Sequence, residues 1–84
     1  MNKDKRNLLK SILSRIMALQ DELKMLRTQE IKYRDKIPEH LVNSKRYNKS
    51  DEAIDLIDCA VEELEPVIDY IMNAIKLFNS NRTM

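Results

Sequence analysis

The chain has 84 residues, which bounds it to one domain, 1–84, and it contains no glycine and only two prolines. Tight strand hairpins and phosphate-cradling loops both depend on glycine, so its absence argues against a compact sheet fold and against a Gly-rich nucleotide site. Hydrophobic residues at 43% and charged residues at 35% exclude disorder of the low-hydrophobicity kind, and the net charge of +1 hides a strong asymmetry along the chain. Residues 1–37 hold ten Lys/Arg against five Asp/Glu, residues 38–50 three against one, and residues 51–84 two against eight.

The first predicted element is a helix over about residues 4–37, with residues 1–5 frayed and Asp4 as its N-cap. Its apolar residues Leu9, Ile12, Ile16, Leu19, Leu23, Leu26, Tyr33 and Ile37 step by threes and fours, the mark of a helix buried along one stripe. Leu8, Leu13, Met17 and Met25 widen the apolar face beyond that seam. Glu30 stands where the ladder calls for leucine, so its carboxylate reaches a basic group or solvent near the bend, or marks a surface used by a partner.

Ile37 precedes Pro38 and is thereby biased out of the helical region, which makes residues 38–44 the bend. The connector is short, so the helices on either side return antiparallel, with Leu41 and Val42 plugging the end against Tyr33 and Ile37. Ser50 can cap a second helix ahead of Asp51 and Glu52, and Ser44 or Asn43 can cap it earlier. The earlier start fits better, because Tyr47 lies one heptad before Ile54 and gives a second arm over about 45–78, equal in length to the first.

That second arm repeats the ladder as Ile54, Ile57, Val61, Leu64, Ile68, Ile71, Ile75 and Phe78. Pro66 interrupts its backbone bonding, but the heptads keep register beyond it, which predicts a kink and not a stop. Asn79, Ser80 and Asn81 end the helix, and Arg82, Thr83 and Met84 are expected to be loose. The expected fold is therefore all-α: two long antiparallel helices forming a helical hairpin. Leu8, Leu13 and Met25 on one arm, with Leu56, Val67, Met72 and Leu77 on the other, would leave a lone hairpin with wet apolar surface. A homodimer forming a four-helix bundle covers it most economically, and a hetero-complex with an unidentified protein would serve as well.

The residues that could carry chemistry are few. His40 is the sole histidine and Cys59 the sole cysteine, so no His/Cys metal-ligand spacing exists, and the Glu-x-x-His element typical of carboxylate metal sites in bundles is missing. Asp51, Asp55, Asp58, Glu62, Glu65 and Asp69 at helical spacing read as a solvated acidic face opposite the Lys/Arg of the first arm. Cys59, surrounded by Asp55, Asp58, Glu62 and Glu63, reads as a reduced intracellular thiol disfavoured as a thiolate. Ser11, Ser14, Ser44, Ser50 and Tyr47 have no general base in sequence context. The expectation is no enzyme activity and no cofactor. No signal peptide and no membrane-length apolar run are read, so the expected location is cytoplasmic, with no membrane partner. Nucleic acid is the rival partner. Lys3, Lys5, Arg6, Lys10 and Arg15 crowd the first helix start and Lys45, Arg46 and Lys49 the bend, where they can meet backbone phosphates.

One stretch bears a resemblance. Tyr33-Arg34-Asp35-Lys36-Ile37-Pro38-Glu39-His40-Leu41-Val42-Asn43-Ser44-Lys45-Arg46-Tyr47, followed by Glu52-Ala53-Ile54-Asp55, is similar to a group of small uncharacterised helical proteins of phages and conjugative elements from gut and Gram-positive bacteria. Their pattern resembles R-D-x-x-P-E-x-L-x-x-S-x-R-Y, then E-A-x-D and a coiled helix. The match covers residues 30–64, carried by Pro38, Glu39, Leu41, Ser44, Arg46 and Tyr47. It implies an origin in a mobile element and supplies no catalytic residue. Pro66 departs from the uninterrupted Glu/Ala-rich second helix of that group. The resemblance sharpens a reading of the bend as Ser44 capping, Arg46 near Asp35 or Glu39, and Tyr47 packed on Pro38 and Leu41. The Trp-x-Gly turn that marks the helical hairpins of bacterial secretion partners is absent, since the chain has neither residue.

Functionally, these features fit a small protein-interaction or assembly module, an accessory protein of a mobile element. The alternative is a nucleic-acid-associated accessory protein.

Overall fold

The structure is a computed structural model that describes residues 3–41 and 44–80, and of Ser80 the backbone only. Two long helices, α1 (Lys3–Asp35) and α2 (Lys45–Ser80), are joined through a single short 3-10 turn, Glu39–Leu41. The two arms form a rod of 67 × 15 × 13 Å. This is the expected helical hairpin.

α1 forms because 33 consecutive residues contain neither proline nor glycine and are rich in Leu, Lys, Arg, Met, Glu and Gln, all strong helix formers. Asp4 lies inside its first turn and not at a cap, where its charge still suits the helix dipole, as do Lys32 and Arg34 in the last turn. The helix ends at Asp35, two residues before the predicted boundary. The chain then tightens: Lys36 N–H donates to the Tyr33 carbonyl (3.2 Å) and Ile37 N–H to that of Arg34 (3.1 Å). Leu41 N–H to Pro38 (2.8 Å) and Ser44 N–H to Leu41 (2.9 Å) continue the same three-residue spacing. These successive tight turns give the last carbonyls of α1 their partners and reverse the chain. Among the described residues none adopts positive φ.

Ser44 caps α2. Its Oγ accepts from the Tyr47 N–H (3.2 Å) while its carbonyl accepts from Asn48 N–H (3.0 Å). This selects the earlier of the predicted starts; Ser50 is instead buried inside the helix. Asn43 and Val42, and the C-terminal residues 81–84, lie outside the described residues. α2 is one helix through Pro66, as the unbroken heptads require.

The order of cross-helix partners fixes the antiparallel register. Arg6 meets Asn79, Gln20 meets Glu65 and Val61, Arg27 meets Asp58, Arg34 meets Asp51 and Glu30 meets Ser50. On α2 the buried column is Ile54, Val61, Ile68 and Ile75, seven residues apart. Ile57, Leu64, Ile71 and Phe78 flank it half-buried, so the predicted α2 ladder is the observed one.

On α1 the ladder is rotated. Its inward positions are Arg6, Leu9, Leu13, Ile16, Gln20, Leu23, Arg27, Glu30, Arg34 and Ile37, an unbroken alternation of three and four, and every one of them is buried or half-buried. Leu19, Leu26 and Tyr33, assigned to the seam from their hydrophobicity, are exposed. The correction has a physical cause. Gln20, Arg27 and Arg34 reach hydrogen-bonding partners on α2 and can therefore be buried at the seam, which turns the purely apolar column outward.

Candidate functional site

The rotation of α1 gives the hairpin two unlike flanks. One is closed by polar contacts. The buried amide of Gln20 donates from Nε2 to the Val61 carbonyl (3.0 Å) and to the Glu65 carboxylate (3.0 Å). Both acceptors lie in the turn before Pro66, where the backbone ladder lacks the N–H of residue 66. Arg27 pairs with Asp58, and Arg34 Nη1 with Asp51 at 2.6 Å. These two pairs repeat at seven-residue spacing on both helices. The hydrogen bond to Asp51 holds the Arg34 guanidinium above its ordinary pKa, against partial desolvation and with help from Tyr47 and Asp35. The guanidinium also lies over the Tyr47 ring, 6.0 Å from its centroid.

At the bend, therefore, Arg34 and not Arg46 makes the cluster's ion pairs. Arg34 Nε approaches Asp35 at 3.5 Å, whereas Arg46 is exposed with no ion pair among the described residues. Tyr47 borders a shallow depression with Arg34, Asp35, Ile37 and Glu39, while Pro38 and Leu41 are exposed and Ile37 is buried. Glu30 accepts a hydrogen bond from the buried Ser50 hydroxyl, so the polar gap in the predicted ladder is filled by a serine across the hairpin and not by a basic group. The predicted acidic face divides in the same way: Asp51, Asp58 and Glu65 bond across to α1, and Asp55, Glu62 and Asp69 face outward.

The other flank is open. An apolar groove of about 410 Å³ runs between the helices there, lined by Ile16, Leu19, Glu22, Leu23, Leu26 and Leu64. A separate depression nearer the bend is lined by Glu30, Tyr33, Arg46, Lys49, Ser50 and Ala53. Leu19 is 57% and Leu26 49% exposed, values that belong to surface residues although both sit in a heptad column. The helical repeat that places Leu64 and Ala53 on this flank places Ile57, Ile71 and Phe78, and Ala60, Val67 and Ala74, there as well. None of those positions carries a charge, although α2 is otherwise strongly acidic.

The basic residues are spread along the rod. Arg6 donates to Asn79 Oδ1 (3.1 Å) and Arg15 Nε to the Ser11 carbonyl (3.4 Å), while Lys3, Lys5 and Lys10 are exposed near the start of α1. Lys45, Arg46 and Lys49 are exposed beside the bend, at the far end. Cys59 is an exposed free thiol. Among the described residues no group of three or more His, Cys, Asp or Glu is placed to hold a metal ion, and no helix is long and apolar enough to cross a membrane.

Comparison of the chain with known protein families, with curated proteins and with solved structures gives no match.

The sequence reading missed Gln20, Arg27 and Arg34 as seam residues. A signal for them was present: arginines seven apart at 27 and 34, acids seven apart at 51 and 58, and an unbroken three-four alternation from Arg6 to Ile37 once polar residues are allowed into it.

Proposed function

We propose that this chain is a small non-enzymatic assembly module whose open flank is covered by a second copy, giving a homodimeric four-helix bundle. The observation that carries this reading is the contrast between the flanks. One carries the cross-helix bonds of Gln20, Arg27 and Arg34, and the other has an apolar groove beside a run of α2 positions that carry no charge. A contiguous apolar patch of that kind marks an association surface. A two-helix rod in which none of the described side chains is fully buried also gains the stability that a chain this size needs by doubling its core. The resemblance at residues 30–64 supports a role as an accessory protein of a mobile element. The lone cysteine fits a reducing cytoplasm.

The test is Leu26→Glu, which puts a carboxylate in the groove without touching the polar flank. Its mass by sedimentation equilibrium should fall to that of the monomer while far-UV circular dichroism retains the helices. A native dimer undisturbed by that change would contradict the assignment of the surface.

A second reading draws on the bend, where Lys45, Arg46 and Lys49 are exposed with no ion pair among the described residues. In a dimer each such cluster is present twice, and phosphate backbones could bridge them. Duplex binding that weakens steeply with salt and is lost on Lys45/Arg46/Lys49→Glu would favour it. No binding at low salt would remove it.

A further inference from the structure

The open flank carries an internal pattern that specifies how a second copy lies on it. Resting on the self-association proposed above, we infer that two copies pair flank to flank in antiparallel orientation. The two-fold axis is perpendicular to the helices and passes level with Leu19, so that α1 lies on α1, α2 on α2, and the bends are at opposite ends.

Along this flank α2 presents Ala53, Ile57, Ala60, Leu64, Val67, Ile71, Ala74 and Phe78. Turned about a midpoint between Glu65 and Pro66, the strip is complementary to itself. Ala53 meets Phe78 of the second copy, Ile57 meets Ala74, Ala60 meets Ile71, and Leu64 meets Val67. In the three outer pairs an alanine falls opposite a large residue, the arrangement by which facing helices interdigitate without voids, and Leu64 with Val67 fills the centre.

α1 has a midpoint of its own at the same height. Turned about Leu19, Ile12 meets Leu26 of the second copy and Leu19 meets its own equivalent. The cross-hairpin bonds of Gln20 to Val61 and Glu65, and of Arg27 to Asp58, set Leu19 level with residues 62–66, a range that includes the α2 midpoint. One axis therefore serves both helices, although nothing in the packing of a single hairpin requires the two midpoints to coincide.

On the rim of the groove the same axis brings the exposed Arg15 within one residue of the level of Glu22 of the second copy, within reach of a long side chain, and by symmetry Glu22 to the second Arg15. An axis parallel to the helices would instead lay α1 on the second α2 with the bends together. Glu22 would then face Glu63, and Lys36 would face Lys49, each like-charged contact occurring twice. Like charges set against each other select against that arrangement.

The two arrangements predict opposite signs for one substitution. In the antiparallel dimer Glu22→Arg sets two arginines together, so the dimer dissociation constant measured by sedimentation equilibrium should rise, by about 3- to 10-fold for two exposed pairs. Arg15→Glu alone should act likewise, and the double variant Arg15→Glu/Glu22→Arg should return to the native value. If Glu22→Arg tightens the dimer, the axis lies along the helices and this inference is overturned, while self-association stands. If the native chain remains monomeric throughout the micromolar range, both fall. A covalent readout is independent of these charges. In a Cys59→Ser background, Leu19→Cys alone should give a disulfide-linked dimer under mild oxidation. A link that forms only when Val67→Cys is also present would again overturn the antiparallel axis.

Discussion

Gln20 is the buried polar side chain of α1, and replacing it tests whether the polar flank holds the hairpin closed. It is 6% exposed and donates two hydrogen bonds of 3.0 Å, to the carbonyl of Val61 and the carboxylate of Glu65. A bond to a neutral carbonyl contributes about 1 kcal/mol net, and one to a charged acceptor about 1.5–3 kcal/mol. Glu65 is exposed and regains water when its donor is removed, which places the second bond at the low end. Gln20→Ala should therefore cost roughly 2–3 kcal/mol. For a chain of this size each ~1 kcal/mol shifts Tm by about 4–8 °C, so the expected fall is on the order of 10–20 °C. Gln20→Leu should behave differently: it removes the same bonds but adds apolar volume at a seam position, worth about 1.5–3 kcal/mol, and should melt near the native protein. Thermal denaturation by circular dichroism at one fixed protein concentration gives both values, the fixed concentration being essential where association contributes to stability. A Gln20→Ala variant that melts with the native protein would refute the reasoning that this amide stitches the helices together.

Four further outcomes follow from the same geometry. Ser44→Ala removes the cap that accepts from Tyr47 and should cost about 1 kcal/mol, read as a lower urea midpoint, while Ser44→Asp should restore it. Ile68→Ala, in the buried column of α2, should cost about 2–5 kcal/mol in the same assay; a loss no larger than at an exposed site would mean that the column is not the core. Charge reversal of Arg27 or Asp58 alone should destabilise by up to about 1 kcal/mol, and reversing both should recover it, which a double-mutant cycle measures. Tyr47→Ala takes away the ring beneath Arg34 and should lower Tm, whereas an unchanged Tm would remove Tyr47 from the account of the bend.

The sequence made the α2 half of the seam readable because its alternating positions are uniformly apolar, so hydrophobicity and burial coincide at Ile54, Val61, Ile68 and Ile75. Ser44 was readable for a similar reason, as a capping side chain in front of a helical repeat after a proline. On α1 the two signals separate. Apolar Leu19, Leu26 and Tyr33 point outward while Gln20, Arg27 and Arg34 point inward, because a buried polar group with a partner costs little and only the opposite helix reveals the partner. The sequence places Arg46, and not Arg34, beside the acids of the bend on the same ground. Both lie close to acids in the chain, but only Arg34 is carried by the end of α1 to within reach of Asp51. The open groove was legible only as surplus hydrophobic surface. Its place on one flank follows from the rotation of α1, which periodicity in hydrophobic residues alone could not reveal.

The most direct test of the open flank as a self-association surface is the mass of the unmodified chain in solution, by sedimentation equilibrium across the micromolar range at physiological salt. The account predicts a species of twice the 10.0 kDa monomer mass that dissociates reversibly on dilution. A single monomeric species at every concentration would contradict it.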